Sequence, residues 1–294
     1  MRNVTIGRQV RREIERLDPL RDDRAVARLS LEVLHGNAML VNALFTVSFI
    51  RQVAVPGIAK ILHRRGRGDI VVRTAKRNDD TMVFFGKFLE LGYDTSEGLA
   101  WIERLNEIHG HFPIRNEDSL YTLATLVLEP QRIAALVGSR PFSGTELQAQ
   151  WHFWRGVAAA QRITDIPGSR DELARWTADF EAAEYARTDD GLAVTRRLVD
   201  DFADRWFPGP LRPLAPEVLS TFCDDRLRAV QSLPEPRPAL AYVARSAVRT
   251  YFAATGLRPV RRDRSFVETF GTARYGPRDR DAVGYRRPAP ARRP

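Results

Sequence analysis

Chemistry in this chain has few places to come from. Its 294 residues include five histidines (His35, His63, His109, His111 and His152) and a single cysteine, Cys223. A multi-cysteine metal site and an intrachain disulfide framework are therefore excluded. HExxH, the Walker A pattern, GxGxxG after a strand and GxSxG are all missing. His109 is the most informative of the five. Ile102, Leu105 and Phe112 lie seven and four residues before it and three after it, which on a helix puts all four on one apolar face. His111, two positions on, shares a face with Arg104 and Glu107, so His-Gly-His is a poor chelate. An imidazole on an apolar face suits an ordinary core histidine as well as a ligand or catalyst, and the pattern leaves both open.

Two further constellations carry polar groups at helical spacing. Arg77 and Thr81, within Lys76-Arg77-Asn78-Asp79-Asp80-Thr81, share a face if the helix has begun by Arg77. Asp79 or Asp80 could equally cap that helix, leaving Arg77 outside it. In Ile114–Leu123, Asn116 or Asp118 can cap the next helix with Tyr121 in its first turn, and capping alone accounts for that composition. Trp151, Phe153 and Trp154 read as core packing. The basic turn Arg64-Arg65-Gly66-Arg67-Gly68 reads as a solvated loop or a phosphate contact.

The elements that must position these groups are helical. Ala38 to Val55 reads as a buried helix stopped by Pro56, and its apolar core of 13 residues is too short for a span of about 20. Asp79–Leu91 precedes Gly92; a helix opened by Asp94 with Glu97 three positions on runs to about Phe112. Helical periodicity continues over Ser119–Leu128, Gly144–Arg162, Asp171–Thr188, Gly191–Arg205, Pro216–Leu233 and Ala239–Thr255, punctuated by proline and glycine. No repeat of solenoid length occurs. The fold class expected is all-α, with a single globular domain.

The formal charge of +9 is uneven: residues 258–294 hold 11 arginines against Asp263, Glu268, Asp279 and Asp281, a net +7, leaving +2 for the rest. The expected organisation is a helical domain over 1–257 followed by a Pro/Arg-rich basic tail over 258–294. The tail's last 15 residues are expected to be disordered, and its Phe266, Phe270 and Tyr275 to dock on the body. A near-neutral body argues against a nucleic-acid partner. The lone cysteine and the lack of an apolar run in residues 1–30 fit a reducing, cytoplasmic setting without a membrane span. Oligomeric state is not legible.

Taken in order, VAVPGIAKILHRRGR, KRNDDT, LNEIHGHFPIRNEDSLYTLATLVLEPQRIA, TELQAQWHFW and the turn Ile163–Pro167 resemble the MpaB/latex-clearing-protein oxygenase family. The resemblance spans about 53–185 and is nearer the MpaB branch. It implies a globin-like all-α fold with extra helices and a b-type heme, with His109 as the proximal iron ligand and Arg77 and Thr81 as the heme-side catalytic and binding residues. O₂ would be the co-substrate. Where the latex-clearing branch has a distal lysine this chain has Asp80, so that ligation does not carry over, and Lys76 is not put in its place. Family members cleave C=C bonds of isoprenoid chains, which implies an apolar small-molecule substrate in a tunnel that Ala38–Ile50 and Met82–Phe88 could line. The expected function is a heme-dependent oxygenase acting on an unsaturated isoprenoid or prenylated molecule. A catalytically inactive heme- or ligand-binding protein is the alternative, and an anionic-surface or nucleic-acid binder acting through the tail ranks below it.

Overall fold

The most apolar stretch of the sequence becomes a central helix. Residues 38–52 are hydrophobic on nearly every side, and a helix of that kind is stable only when surrounded. The computed structural model describes residues 4–285, and among these it is built almost entirely of helices. They are α1 (Gly7–Ile14), α2 (Asp23–Arg28), α3 (Ala38–Gln52), α4 (Pro56–His63), α5 (Asp69–Val72), α6 (Thr74–Leu91), α7 (Ser96–His109), α8 (Asn116–Leu136), α9 (Gly144–Ala160), α10 (Arg170–Glu184), α11 (Asp189–Trp206), α12 (Ala215–Ser220), α13 (Asp225–Gln231), α14 (Pro238–Ala254) and α15 (Ala273–Tyr275). Helix α3 starts where the Asn37 side chain accepts a hydrogen bond from the Leu40 amide at 3.0 Å. It packs against α8 and α11, and α11 also packs on α4, α5 and α6. The fold is all-α.

Several helix ends differ from the sequence reading. Helix α6 begins at Thr74, so Asp79 and Asp80 lie inside it and cap nothing. Thr95, not Asp94, caps α7, its hydroxyl accepting from the Gly98 amide at 3.0 Å. Neither Asn116 nor Asp118 caps α8, whose first residue is Asn116; Asp118 instead pairs with Arg115 at 2.8 Å. That helix also runs on through Pro130 to Leu136. Proline removes one backbone donor there, yet Pro130 is buried in the fold, and tertiary packing outweighs the local cost. The stretch 216–233 divides into α12 and α13, with Asp224 capping the second through the Leu227 amide at 2.9 Å.

Residues 258–285, set apart in the sequence by their arginines, lie against the body. Strand β2 (Pro259–Arg261) pairs antiparallel with β1 (Val4–Ile6), Thr5 opposite Val260. Phe266, Phe270 and Val283 are buried, and Tyr275 donates to Asp79 at 2.7 Å. A Cβ on Gly86 of α6 would stand 2.8 Å from the Val267 amide nitrogen, so glycine there lets the segment close in. Several of the arginines find carboxylates: Arg262 with Glu13 at 2.7 Å, Arg274 with Asp79 at 3.2 Å and Arg278 with Asp80 at 2.5 Å. Of the 15 residues expected to be disordered, 280–282 form a 3₁₀ turn, while 286–294 lie outside the described residues. Among the described residues no single helix is long and apolar enough to cross a membrane; Asp23–Leu34 and Ala38–Gln52 reach that length only as a pair bent by 113°.

Candidate active site

The helices enclose a cavity of about 630 Å³, within the range of small-molecule and cofactor sites. Its wall is mostly apolar. Helix α3 contributes Leu40, Val41, Leu44, Phe45 and Phe49, and α6 contributes Met82, Phe84 and Phe85, so both stretches singled out as tunnel candidates reach it. Trp154 lines it as well, whereas its neighbours Trp151 and Phe153 are buried in the core. Arg77, Thr81 and His109 all line this one cavity.

The six residues Lys76–Thr81 serve two directions at once. Because α6 begins two residues ahead of Lys76, Arg77 and Thr81 fall on its cavity side one turn apart. Arg77 donates to the Thr81 hydroxyl, which itself donates to the Arg77 carbonyl at 3.1 Å. The Thr81 hydroxyl therefore orients the guanidinium. Asn78 and Asp79 bind away from the cavity, whereas Lys76 and Asp80 line it as well. Asn78 donates to Asp201 at 2.8 Å, Asp79 pairs with Arg205 at 2.7 Å, and Asp80 accepts from Lys76 at 2.6 Å and from the Gly284 amide at 3.0 Å. The Lys76 amine is thus engaged by the aspartate that stands in place of the distal lysine.

Arg77 has no carboxylate within ion-pair distance among the described residues. Its guanidinium lies 5.0 Å from the centre of the Phe49 ring. Burial lowers its pKa to about 10, against the opposing pull of Asp80 and Asp69, so it remains a cation at neutral pH. The site therefore offers a positive charge to an anion or to a group that becomes negative during reaction.

His109 is the last residue of α7. It keeps some accessible surface and lines the cavity, yet it is shut off from bulk water enough for burial, with Arg77 adding to the effect, to lower its pKa to about 4. The imidazole is neutral at pH 7 and makes no side-chain hydrogen bond among the described residues. His111, by contrast, lies in the turn beyond the end of α7 and is exposed, with Nδ1 2.6 Å from the Glu107 carbonyl. The end of α7 is held by the C-terminal segment: Arg104 donates to the Tyr285 carbonyl at 2.9 Å. Gly284 comes so close that a Cβ would stand 2.6 Å from Ile108, and its φ of +82° is a left-handed conformation that favours glycine.

Two contributors escaped the sequence reading. Arg64, in the basic turn, is neither fully solvated nor placed on an anion; its guanidinium sits 5.4 Å from the Phe112 ring and 5.3 Å from the Tyr285 ring. Gly284 and Tyr285 line the cavity from more than 170 residues away in the chain. No local signal marks either contribution, since both depend on where the C-terminal segment returns.

The cavity therefore brings a neutral imidazole and an unpaired cation together inside an apolar wall. A model of the catalytic domain described as "ER-bound oxygenase mpaB/B'/Rubber oxygenase" matches residues 33–294. The chain belongs to this family. The match extends well beyond the stretch in which the resemblance was legible and takes in the C-terminal segment. Among relatives, the chain is 24% identical over 219 residues to an ER-bound oxygenase mpaB' of Penicillium brevicompactum, covering 69% of this chain and 52% of the relative. It is 24% identical over 220 residues to an ER-bound oxygenase mpaB of the same organism, 68% and 55% of the two chains. It is 26% identical over 200 residues to an ER-bound oxygenase mpaB of Penicillium roqueforti (strain FM164), 62% and 66%. The chain thus spans about half the length of the first two.

Proposed function

We propose that this member of the mpaB/rubber oxygenase family is a heme-dependent oxygenase that uses O₂ on an unsaturated apolar molecule of isoprenoid or prenylated type. The observation that supports it is the pairing of His109 with Arg77 in one apolar cavity. Among the described residues no group of three or more His, Cys, Asp and Glu side chains converges to hold a metal ion. A heme needs no such group, because the porphyrin supplies four nitrogens and the protein only an axial one. His109 fits that demand: it is neutral, lines the cavity and has no competing hydrogen bond. Arg77 and Arg64, both lining the cavity without a carboxylate partner among the described residues, fit the propionates.

When bound, heme would supply the open coordination position at which O₂ is taken up. The chain's own residues do the rest. His109 would hold the cofactor from the end of α7. Arg77, oriented by Thr81, would place a fixed positive charge beside it, where a group gaining negative charge is stabilised without reorganisation. Phe45, Phe49, Phe84 and Phe85 would exclude water and hold an alkene chain. Cleavage of one C=C bond by one O₂ gives two carbonyl groups, which balances without an added reductant.

Absorption spectra of protein produced with heme supplied test the reading. A Soret band is expected in the wild type and its loss in His109→Ala, with the melting curve otherwise retained. Alkene consumption and carbonyl formation should require both heme and O₂. Absence of a Soret band in the wild type, or an unchanged one in His109→Ala, rejects His109 as the ligand. A heme-loaded protein that turns over no alkene is instead a ligand-binding protein.

A further inference from the structure

One histidine in the cavity wall has no part in that reading. His35 follows the π-helical turn Leu29–Leu34 and is 6% exposed, yet it lines the same cavity as His109. Phe142 and Phe252 flank its ring edge-on, with centroids 4.9 and 5.8 Å away. Neither phenylalanine is in ring or cation contact with Arg77 or His109. Among the described residues, both ring nitrogens of His35 are buried without a hydrogen-bond partner.

An ordinary core histidine is expected to be hydrogen-bonded, because a buried polar group left unpaired has lost its water without a replacement. Burial together with the positive charges of Arg11 and Arg258 lowers its pKa to about 3, so the ring is neutral at any working pH. A neutral imidazole carries one N–H and one lone pair. Such a ring can donate its N–H to an oxygen that accepts. Around it the wall is apolar: Leu31, Phe142, Phe252 and Phe266 all line the cavity. A lone donor in such a wall selects by where it finds an acceptor on an otherwise greasy ligand.

From this juxtaposition we infer that His35 is a specificity-determining residue, donating a hydrogen bond to a carbonyl or carboxylate oxygen on the apolar chain that fills the cavity. This deepens the oxygenase reading by naming a polar feature of its substrate, and it rests on that reading only for the statement that the ligand is a substrate.

The test is binding, read without turnover. The full chain, as purified, is titrated anaerobically with three C15 isoprenoids of equal length, farnesoic acid, farnesal and farnesene, following tryptophan fluorescence, since Trp154 lines the cavity. Wild type is expected to bind the acid or the aldehyde about tenfold more tightly than the hydrocarbon, as one hydrogen bond to a buried donor allows. In His35→Leu farnesal and farnesene should fall within about twofold of one another, with farnesene bound no more weakly than before. His35→Gln, which keeps an N–H donor, should restore part of the preference and covers the case that the leucine variant fails to fold. An equal affinity for all three ligands in wild type, no binding of any of them, or an unchanged preference in both variants overturns the proposal. Because neither heme nor O₂ consumption is measured, failure of the oxygenase reading would leave this result standing.

Discussion

Two buried arginines show how differently the molecule treats the same side chain. Arg51, at the end of α3, has Glu129 and Asp224 each at 2.8 Å. Burial alone would lower its pKa, but those carboxylates outweigh it and hold it above the ordinary value. Tyr121 and Arg132 reach Glu181 at 2.9 and 2.7 Å beside it, so opposite charges from α3, α8 and α10 gather around Arg51. Arg77 has no carboxylate partner among the described residues, and burial prevails. A charge compensated from within serves the fold. A charge left open toward a cavity serves whatever enters it.

The comparison breaks most visibly under substitution of the partner. Glu129→Ala removes the buried one of the two carboxylates paired with Arg51 and should cost about 3–5 kcal/mol in urea unfolding. Arg77→Met should stay within about 1 kcal/mol of wild type while weakening retention of an anionic ligand. Equal losses in the two variants would erase the distinction.

A smaller effect is expected where the C-terminal segment is latched. Asp80→Asn keeps the shape but removes the charge that holds Lys76 and Arg278, at a cost of about 1–3 kcal/mol. Hydrogen exchange should quicken at the Gly284 amide, whose acceptor is Asp80, while the α3 amides stay protected. Uniform quickening across both would show that the segment does not open separately.

The smallest effects sharpen the comparison through pH. His109 and His35 are lowered to about 4 and about 3, against about 6.5 in an unfolded chain. Their contributions to stability are therefore complete above about pH 6.5 and are lost as pH falls through those folded values. Glu32 behaves oppositely. Burial pushes it up to about 8, so its contribution is complete below about pH 4.5 and is lost as pH rises through about 8. Glu32→Gln, which can still accept from the Phe266 amide, should flatten the alkaline limb of a stability–pH curve. His35→Leu should flatten part of the acid limb. A Glu32→Gln curve that still falls between pH 5 and 8 would assign that limb elsewhere.

Helical spacing put His109 on the face shared with Ile102 and Leu105, and this needed no partner to be legible, because it follows from 3.6 residues per turn; the helix expected to reach Phe112 ends at His109, so Phe112 lies beyond that face. The i, i+4 relation of Arg77 and Thr81 was conditional on where the helix starts, and the start at Thr74 satisfied it. Local pattern was a poorer guide to Asp79 and Asp80. As residues near a helix start they suit caps, but Arg205, Tyr275 and Arg278 are distant in sequence, and only their arrival turns the two aspartates into anchors. The same holds for Pro130, which reads as a stop until its surroundings are known.

By itself, then, the sequence determined the all-α class, the apolar helix that must be buried, the ordered family segments and the faces on which Arg77, Thr81 and His109 lie. These are properties of short stretches, set by periodicity and side-chain type. The tertiary structure decided that the three faces meet in one cavity, that the arginine-rich end supplies part of its wall, and that Arg51 is compensated while Arg77 and His35 are not. Pairing and burial depend on contacts between residues far apart in the chain, and no local window of sequence contains them.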